Sequence, residues 1–449
     1  MNNIHLVSYS VKGIKSLDKE AKLSFYKKTF KKDFSIRDYN IKGIYGTNGA
    51  GKSAIVTSVR ILKNLLLNVS YLNNPLVQKQ LHDLINKKLG KLEITAEFVV
   101  TFGTELRLYQ YRIELIKNNA NKFYISEEEL KVRNALSHNK QFDEVFIVEN
   151  GKLSTSEISK FTELLTDQTK NLLTSASLTA NWIERVIAAG LKRPAGSKMW
   201  MDLILLYLFA EGLFVYMERE DDHTDFVIHK LLEQSEAEED STLDLLVKHK
   251  MQLKESQNFM FSAEKIIVEK DEYQKLENEV KRLYEFLHIF KQDLRDVVID
   301  EKINGEYYIC NLVMKYDNYS VDTEFESTGI RKLIKLFTYL DKMVKGDIVF
   351  IDEMDSNLHD VYLCALLEYL MEYGEGQLCF TTHNIGPMDI LKKNKMSIDF
   401  LSVDHQIYSW TTSGNYSPSK LYRNGMIEGS PFNVYSIDFI AAFQTEGDN

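Results

Sequence analysis

Cysteine is scarce in this sequence, with three copies among 449 residues. The number is odd and the spacing matches no zinc site, so a disulfide framework and a cysteine metal cluster are both excluded. Reduced thiols are typical of a cytoplasmic protein, which is the location we expect. Cys310, Cys364 and Cys379 are predicted to serve in packing.

Long apolar runs are also missing. The start of the chain is polar, so no export signal is expected. The most apolar stretch, Leu203 to Met217, is interrupted by Glu211 and preceded by Asp202. A membrane-spanning helix needs about 20 apolar residues, so a buried helix is predicted here and no membrane partner is expected.

An excess of positive charge is absent as well, because the formal net charge is −10. This excludes a uniformly basic surface made to coat nucleic acid. Lysines are concentrated from Lys12 to Lys32, but acidic residues interrupt them. We predict a solvated hairpin in this stretch.

The pattern of apolar residues predicts an α/β protein built from three regions. Residues 1–150 contain short strands, a glycine-rich turn and a predicted antiparallel meander over Leu92–Phe102, Glu105–Ile116 and Lys122–Val132. Residues 151–304 have helical spacing and are predicted to be a helical insertion. Residues 305–449 alternate helix and strand, which indicates a parallel sheet.

One part of the insertion has a sustained heptad-like spacing. Apolar residues recur at intervals of three and four, at Tyr273, Leu276, Val280, Leu283, Leu287, Phe290 and Leu294. Such a helix, roughly 30 Å long, is either a short coiled-coil arm or a core helix. Additional apolar residues beside the seam keep both interpretations open.

The strongest motif is Gly46-Thr47-Asn48-Gly49-Ala50-Gly51-Lys52-Ser53, which matches G-x(4)-G-K-[ST] in full. It follows an apolar strand and precedes a helical pattern, the context that a phosphate-binding loop requires. The glycines allow backbone N–H groups to surround phosphates, Lys52 reaches the β and γ oxygens, and Ser53 binds Mg²⁺. The motif therefore predicts ATP and Mg²⁺ as ligands.

Two later strand ends complete the expected chemistry. Ile348–Ile351 leads into Asp352 and Glu353, adjacent carboxylates that suit Mg²⁺ binding and the activation of a water molecule, respectively. The next predicted strand ends at His383. In its neutral form, the imidazole of His383 would contact the γ-phosphate. Lys52, Glu353 and His383 are the predicted catalytic residues.

A fourth element, Glu326-Ser327-Thr328-Gly329-Ile330-Arg331-Lys332-Leu333, precedes the helix before Asp352. Ser327 and Gly329 at a helix N-terminus offer a hydroxyl, free N–H groups and the positive end of the helix dipole. These groups suit a γ-phosphate that is presented by another subunit.

Taken in this order, the four motifs resemble the ABC-type ATPases of the SMC, RecF and OLD branch. The signature and the Asp-Glu-Met-Asp-Ser-Asn-Leu-His run are similar to ATPases of bacterial antiphage systems, such as the PARIS, AbiL and Septu ATPase subunits. This resemblance implies a two-lobed ATPase head that forms a homodimer around ATP, or a higher oligomer. It also implies a D-loop over Asp355, Ser356 and Asn357, followed by His359. The sequence does not fix the position of the Q-loop glutamine, for which Gln110 and Gln141 are candidates.

Several features separate this chain from parts of that class. The residues after His383 lack the acidic strand ends of a TOPRIM nuclease, so we expect a nuclease or toxin effector to be a separate protein. The signature differs from that of transporters. Arg133 and His138 match the R-N-x(3)-H pattern of HEPN ribonucleases, but they lie between predicted strands rather than in a helical bundle.

The sequence therefore favours an ATP-hydrolysing sensor or switch subunit of an antiphage defence system, triggered by a phage protein or nucleic acid. One alternative is a DNA maintenance or repair ATPase of the SMC/RecF kind. A nucleotide-gated scaffold with little turnover is the other.

Overall fold

The computed structural model describes residues 4–27, 29–149, 151–155, 169–188, 198–218, 261, 266–304, 307–411, 416–428 and 430. Most of residues 219–265, in the predicted helical insertion, lies outside this part of the chain. The described residues form three sheets with helices packed between and beside them.

The largest sheet has seven strands in the order β2-β1-β4-β5-β6-β7-β8, all antiparallel. The strands are β1 (Ile4–Lys12), β2 (Ala21–Ser24), β4 (Leu92–Phe102), β5 (Glu105–Lys117), β6 (Phe123–Asn134), β7 (Asp143–Glu149) and β8 (Lys152–Thr155). The predicted meander is confirmed to within two residues at each end. Alternating burial along β4 and β5 explains why its pattern was legible in the sequence.

A second sheet has six strands in the order β17-β16-β3-β15-β14-β9. They are β3 (Ile41–Tyr45), β9 (Leu213–Tyr216), β14 (Ile348–Ile351), β15 (Gln377–Thr381), β16 (Ile398–Leu401) and β17 (Ile407–Ser409). All neighbours are parallel except β16 and β17. The predicted parallel sheet is confirmed, and its carboxyl ends meet at one edge.

The helices are α1 (Lys52–Leu67), α2 (Pro75–Leu84), α3 (Thr169–Leu172), α4 (Leu178–Ala188), α5 (Lys198–Glu211), α6 (Tyr273–Phe290), α7 (Thr328–Val344), α8 (Asp360–Tyr373), α9 (Met388–Leu391) and α10 (Pro418–Arg423). Short 3-10 turns cover Arg37–Tyr39, Tyr71–Asn73, Lys270–Glu272 and Thr323–Phe325. Helices α1 and α5 share one hydrophobic core with the faces of both large sheets. No helix in the described part of the chain is long and apolar enough to cross a membrane.

Two buried polar contacts link strands of the two large sheets, and the first of them involves the phosphate-loop strand β3. Lys42 Nζ on β3 and Asp399 Oδ2 on β16 form an ion pair of 2.8 Å, and both side chains are almost fully buried. The amide of Gln377 on β15 accepts a hydrogen bond from Leu6 N–H at 2.7 Å and donates one to Leu6 O at 2.9 Å. This pair of hydrogen bonds between β15 and β1 joins the two large sheets.

The helical-insertion prediction for residues 151–304 is wrong in part, because β8 and three further strands of the structure lie within it. The first is β9, which extends the parallel sheet beside β14. The sequence prediction merged β9 with α5 into one apolar helix, whereas the helix ends at Glu211 and Gly212 makes the turn. The others are β10 (Ile266–Glu269) and β11 (Asp296–Asn304).

Helix α6 is a core helix rather than a coiled-coil arm. Its seam residues Leu276, Val280, Leu283 and Leu287 are buried. They pack against a small antiparallel sheet of order β10-β12-β11, with β12 (Tyr307–Lys315) paired to β13 (Ser320–Asp322), and against α7. The coiled-coil interpretation is therefore not confirmed, because the apolar seam residues are buried against other parts of the same chain.

Candidate functional site

The phosphate-binding loop connects β3 to α1 at the carboxyl edge of the parallel sheet. Gly51 has a φ of +109° and stands directly before α1, a conformation that other residues rarely adopt. A Cβ at Gly51 would lie 2.6 Å from Leu17 Cδ2, and one at Gly46 would lie 2.4 Å from Leu401 O. The two glycines are therefore required by close packing on both sides of the loop.

Lys52 begins α1 and is buried, with 6% of its surface exposed. Its Nζ donates hydrogen bonds to Gly46 O at 2.7 Å and to Thr47 O at 3.2 Å, so it lies across its own loop. Burial lowers the pKa of Lys52 from 10.5 to about 8, although the nearby carboxylates act in the opposite direction. A phosphate at this position would replace the two carbonyls and favour the charged amine.

The two predicted carboxylates follow β14 directly. Thr381 Oγ1, at the end of the neighbouring β15, donates to Asp352 Oδ1 at 2.6 Å and accepts from Glu353 N–H at 2.8 Å. Glu353 has a φ of +50°, an unusual conformation for a residue with a side chain. Strain of this kind persists where surrounding contacts impose it, and it is concentrated at functional sites.

His383 lies two residues beyond β15, at the edge where the phosphate loop and Glu353 meet. Partial burial and the positive charge of Lys52 lower the pKa of this imidazole below 6.5. At neutral pH the ring is therefore uncharged and retains one N–H donor and one acceptor nitrogen.

A cavity of about 380 Å³ brings most of the predicted residues together. Its walls are Lys15, Ser16, Asn48, Gly49, Gly51, Lys52, Ser53, Ala54, Glu353, Thr381 and His383. The other three loop residues support the walls, since Ala50 is buried and the carbonyls of Gly46 and Thr47 accept hydrogen bonds from Lys52. A larger cavity of about 610 Å³ shares Ser53 and Glu353 with the first and adds Asp352.

These residues fit the magnesium ion that the motifs imply. The Ser53 hydroxyl and the Asp352 carboxylate line the same cavity, and both are oxygen ligands of the kind Mg²⁺ prefers. Asp355 Oδ1 is buried and has no hydrogen-bond partner among the residues that the structure describes. That atom provides further acceptor capacity close to Glu353.

The signature residues lie elsewhere on the same chain. Ser327 caps α7, its Oγ accepting from Ile330 N–H at 3.4 Å, and it is exposed. A Cβ at Gly329 would lie 3.3 Å from Asn357 O, so the signature stands against the predicted D-loop. Neither Ser327 nor Gly329 lines the two cavities at the phosphate loop.

Several residues of the site were not predicted. Lys15 and Ser16 come from the turn between β1 and β2, and both line the loop cavity. The predicted hairpin is confirmed only in part, since β1 pairs with β2 through Ser8–Val11 and Ala21–Ser24 rather than over Lys12–Lys32. Lys15, in the turn between them, lines the site. Met217 and Glu218 line the larger cavity because they follow β9, the strand that was missed. Only the tertiary fold identifies these positions.

Neither candidate Q-loop glutamine reaches the site. Gln110 on β5 donates to Glu97 at 2.9 Å, and Gln141 lies in an exposed turn. The glutamine that lines the larger cavity is Gln80 on α2.

The residues that match the HEPN pattern do not lie in a helical bundle, because Arg133 is part of β6 and His138 lies in the loop that follows it.

No protein-family model matches the sequence, and no curated protein matches it either. Among solved structures, the chain is similar to the Smc head domain with a coiled coil and joint derived from Pyrococcus yayanosii. The alignment covers 94% of this chain and 100% of that chain, with 14% sequence identity and a TM-score of 0.42. The function is therefore inferred from the residues of the site.

Proposed function

We propose that this protein binds and hydrolyses Mg-ATP at the loop between β3 and α1. The observation that supports this most strongly is the common cavity of Lys52, Ser53, Glu353 and His383, which come from three separate places in the sequence. Backbone N–H groups of the loop and the N-terminus of α1 would hold the phosphates. Lys52 would leave the Gly46 carbonyl to bind the β and γ oxygens.

Glu353 is assigned the role of general base for the attacking water, and His383 the contact with the γ-phosphate. Ser53 and Asp352 would hold Mg²⁺, which neutralises charge on the phosphate oxygens when bound. The hydroxyl of Thr381 orients Asp352 by donating a hydrogen bond to its carboxylate. The same hydroxyl oxygen accepts a hydrogen bond from the backbone N–H of Glu353.

The position of the signature motif supports a shared site. Ser327 and Gly329 line neither cavity at the phosphate loop of their own chain, yet they carry groups suited to a γ-phosphate. A second copy related by two-fold symmetry would place the signature of each chain over the ATP of the other. We therefore propose a homodimer with two composite sites.

ATP binding and turnover test this function directly. The purified chain should hydrolyse ATP only with Mg²⁺, and Ser53→Ala should raise the Mg²⁺ concentration needed for half-maximal rate. Ser70→Ala, in an exposed turn, is the matched control. Undetectable ATP binding by the wild-type chain at millimolar Mg²⁺ would contradict the proposal.

At the level of biology, we propose a switch subunit of an antiphage defence system that controls a separate effector. The support is the likeness of the signature and D-loop sequences to defence ATPases. The test is a pull-down with the neighbouring gene product, with and without ATP, alongside nuclease assays of each protein alone. Stimulation of the ATPase by duplex DNA without an effector would instead favour DNA maintenance. An RNase activity lost in Arg133→Ala would favour the HEPN alternative.

A further inference from the structure

Lys332 lies on the signature helix α7 and reaches the loop that carries the proposed general base. Its side chain is buried, with 3% exposed. Nζ donates a hydrogen bond to the carbonyl oxygen of Glu353 at 2.6 Å and a second to Ser356 Oγ. One ammonium group therefore ties α7 to both ends of the turn that follows β14.

The same peptide is held from its other side. Thr381 Oγ1 accepts the N–H of Glu353, so both polar backbone groups of this residue are bound by side chains from different elements. A left-handed conformation is unfavourable for a residue that carries a Cβ. The two contacts provide a physical reason why Glu353 keeps its φ of +50°.

The ammonium group is costly to bury, and its surroundings explain why it stays. Burial lowers the pKa of Lys332, and the carboxylates of Glu218 and Asp355 act against that effect. Glu218 follows β9, so strands and helices from three parts of the chain contribute to the environment of one amine. Such a contact responds to small displacements of α7, because a hydrogen bond weakens steeply with distance and angle.

We propose that Lys332 is a positioning residue that couples the signature motif to the general base. This rests on the proposed function. Ser327 and Gly329, one turn before Lys332 on α7, would engage the ATP of the second copy, whereas Glu353 acts on the ATP of its own chain. Lys332 thus links the two composite sites of a dimer, so that occupation of one site sets the geometry of the other.

Four proteins test the coupling: wild type, Lys332→Met, Lys332→Arg and Lys393→Met. Methionine keeps the length of the side chain and removes the amine, whereas arginine keeps a charged donor. Lys393 is an exposed lysine paired with Glu368 at 2.8 Å and lines neither cavity at the phosphate loop, so Lys393→Met is the matched control. ATP affinity is measured by calorimetry, and the rate is measured over a range of ATP concentrations to give kcat and the Hill coefficient.

The expected result for Lys332→Met is ATP affinity within about twofold of wild type, kcat lower by about tenfold or more, and a Hill coefficient reduced to about 1. Lys332→Arg should recover part of the kcat and part of the Hill coefficient, and Lys393→Met should match wild type.

A wild-type enzyme that is not cooperative would overturn the proposal, as would a Lys332→Met variant with unchanged kcat and Hill coefficient. If Lys332→Met does not fold, Lys332→Gln takes its place with the same outcomes. Absence of ATP binding in the wild type is the separate result that refutes the proposed function.

Discussion

The hydroxyl of Thr381 donates to Asp352 Oδ1 at 2.6 Å and accepts from the N–H of Glu353 at 2.8 Å. One side chain at the end of β15 therefore orients both carboxyl-bearing residues at the end of β14. This contact depends on the parallel pairing of the two strands, in which Ile351 lies opposite Phe380.

Replacing Thr381 with valine, which has the same shape, tests this contact. Thr381→Val should lower kcat by about tenfold or more while changing ATP affinity less, because the base and the Mg²⁺ ligand lose their orientation. Thr338→Val is the control, since Thr338 is also buried and lies on α7 away from the cavities. Equal kcat values for the two variants would show that Thr381 does not orient the catalytic carboxylates.

The lysine and the glutamate of the site should fail in different ways. Lys52→Ala is expected to abolish ATP binding, because it removes the charge that meets the phosphates. Glu353→Gln should bind ATP with the affinity of wild type and accumulate as a dimer, since the loop and the Mg²⁺ ligands remain intact. Size-exclusion chromatography with light scattering, with and without ATP, measures both. Equal ATP affinity in the two variants would contradict the roles given to them.

Proton uptake should accompany ATP binding above the pKa of Lys52. That pKa is about 8 in the nucleotide-free protein, so a fraction of the amine is neutral at higher pH. Phosphates favour the charged form and raise the pKa, so binding at about pH 8.5 should take up protons, and binding at about pH 6.5 should not do so through this residue. Calorimetry in buffers of different ionisation enthalpy measures the uptake. Lys52→Arg, which stays charged, should show none.

Helix α6 should contribute stability rather than assembly. Leu283 is fully buried between α6, the small sheet and α7. Leu283→Ala should lower the free energy of unfolding by about 2–5 kcal/mol and leave the ATP-dependent oligomeric state unchanged in the folded protein. Ile289→Ala, at an exposed position of the same helix, should change stability little. Loss of the dimer in Leu283→Ala at unchanged stability would restore the coiled-coil interpretation.

Much of the fold was legible in the sequence where local pattern and burial agree. The meander β4, β5 and β6 alternates in burial, and the phosphate loop stands between an apolar strand and a helix as its motif requires. Strand β9 was missed because its four apolar residues follow an apolar helix, so the periodicity changes only at Gly212. That glycine was the available signal.

The site was predicted where residues follow one another in a motif and was missed where the fold brings them together. Lys15 and Ser16 reach the phosphate loop through the turn between β1 and β2, and no local pattern marks them. Lys332 was included in the signature stretch, but its contact with Glu353 depends on how α7 packs against β14. Cross-element contacts of this kind carry no periodicity.

Mixing two inactive variants tests the central claim, a site shared between two chains, most directly. Ser327→Arg keeps an intact phosphate loop but blocks its signature face, and Lys52→Ala keeps an intact signature but cannot bind ATP. In a heterodimer, one composite site combines the intact loop of the first chain with the intact signature of the second. Random pairing of equal amounts makes about half of the dimers heterodimers with one intact site each, so up to about a quarter of wild-type ATPase activity should return, and less if the two sites are coupled. A mixture as inactive as either variant alone, with heterodimers shown to form, would contradict the account.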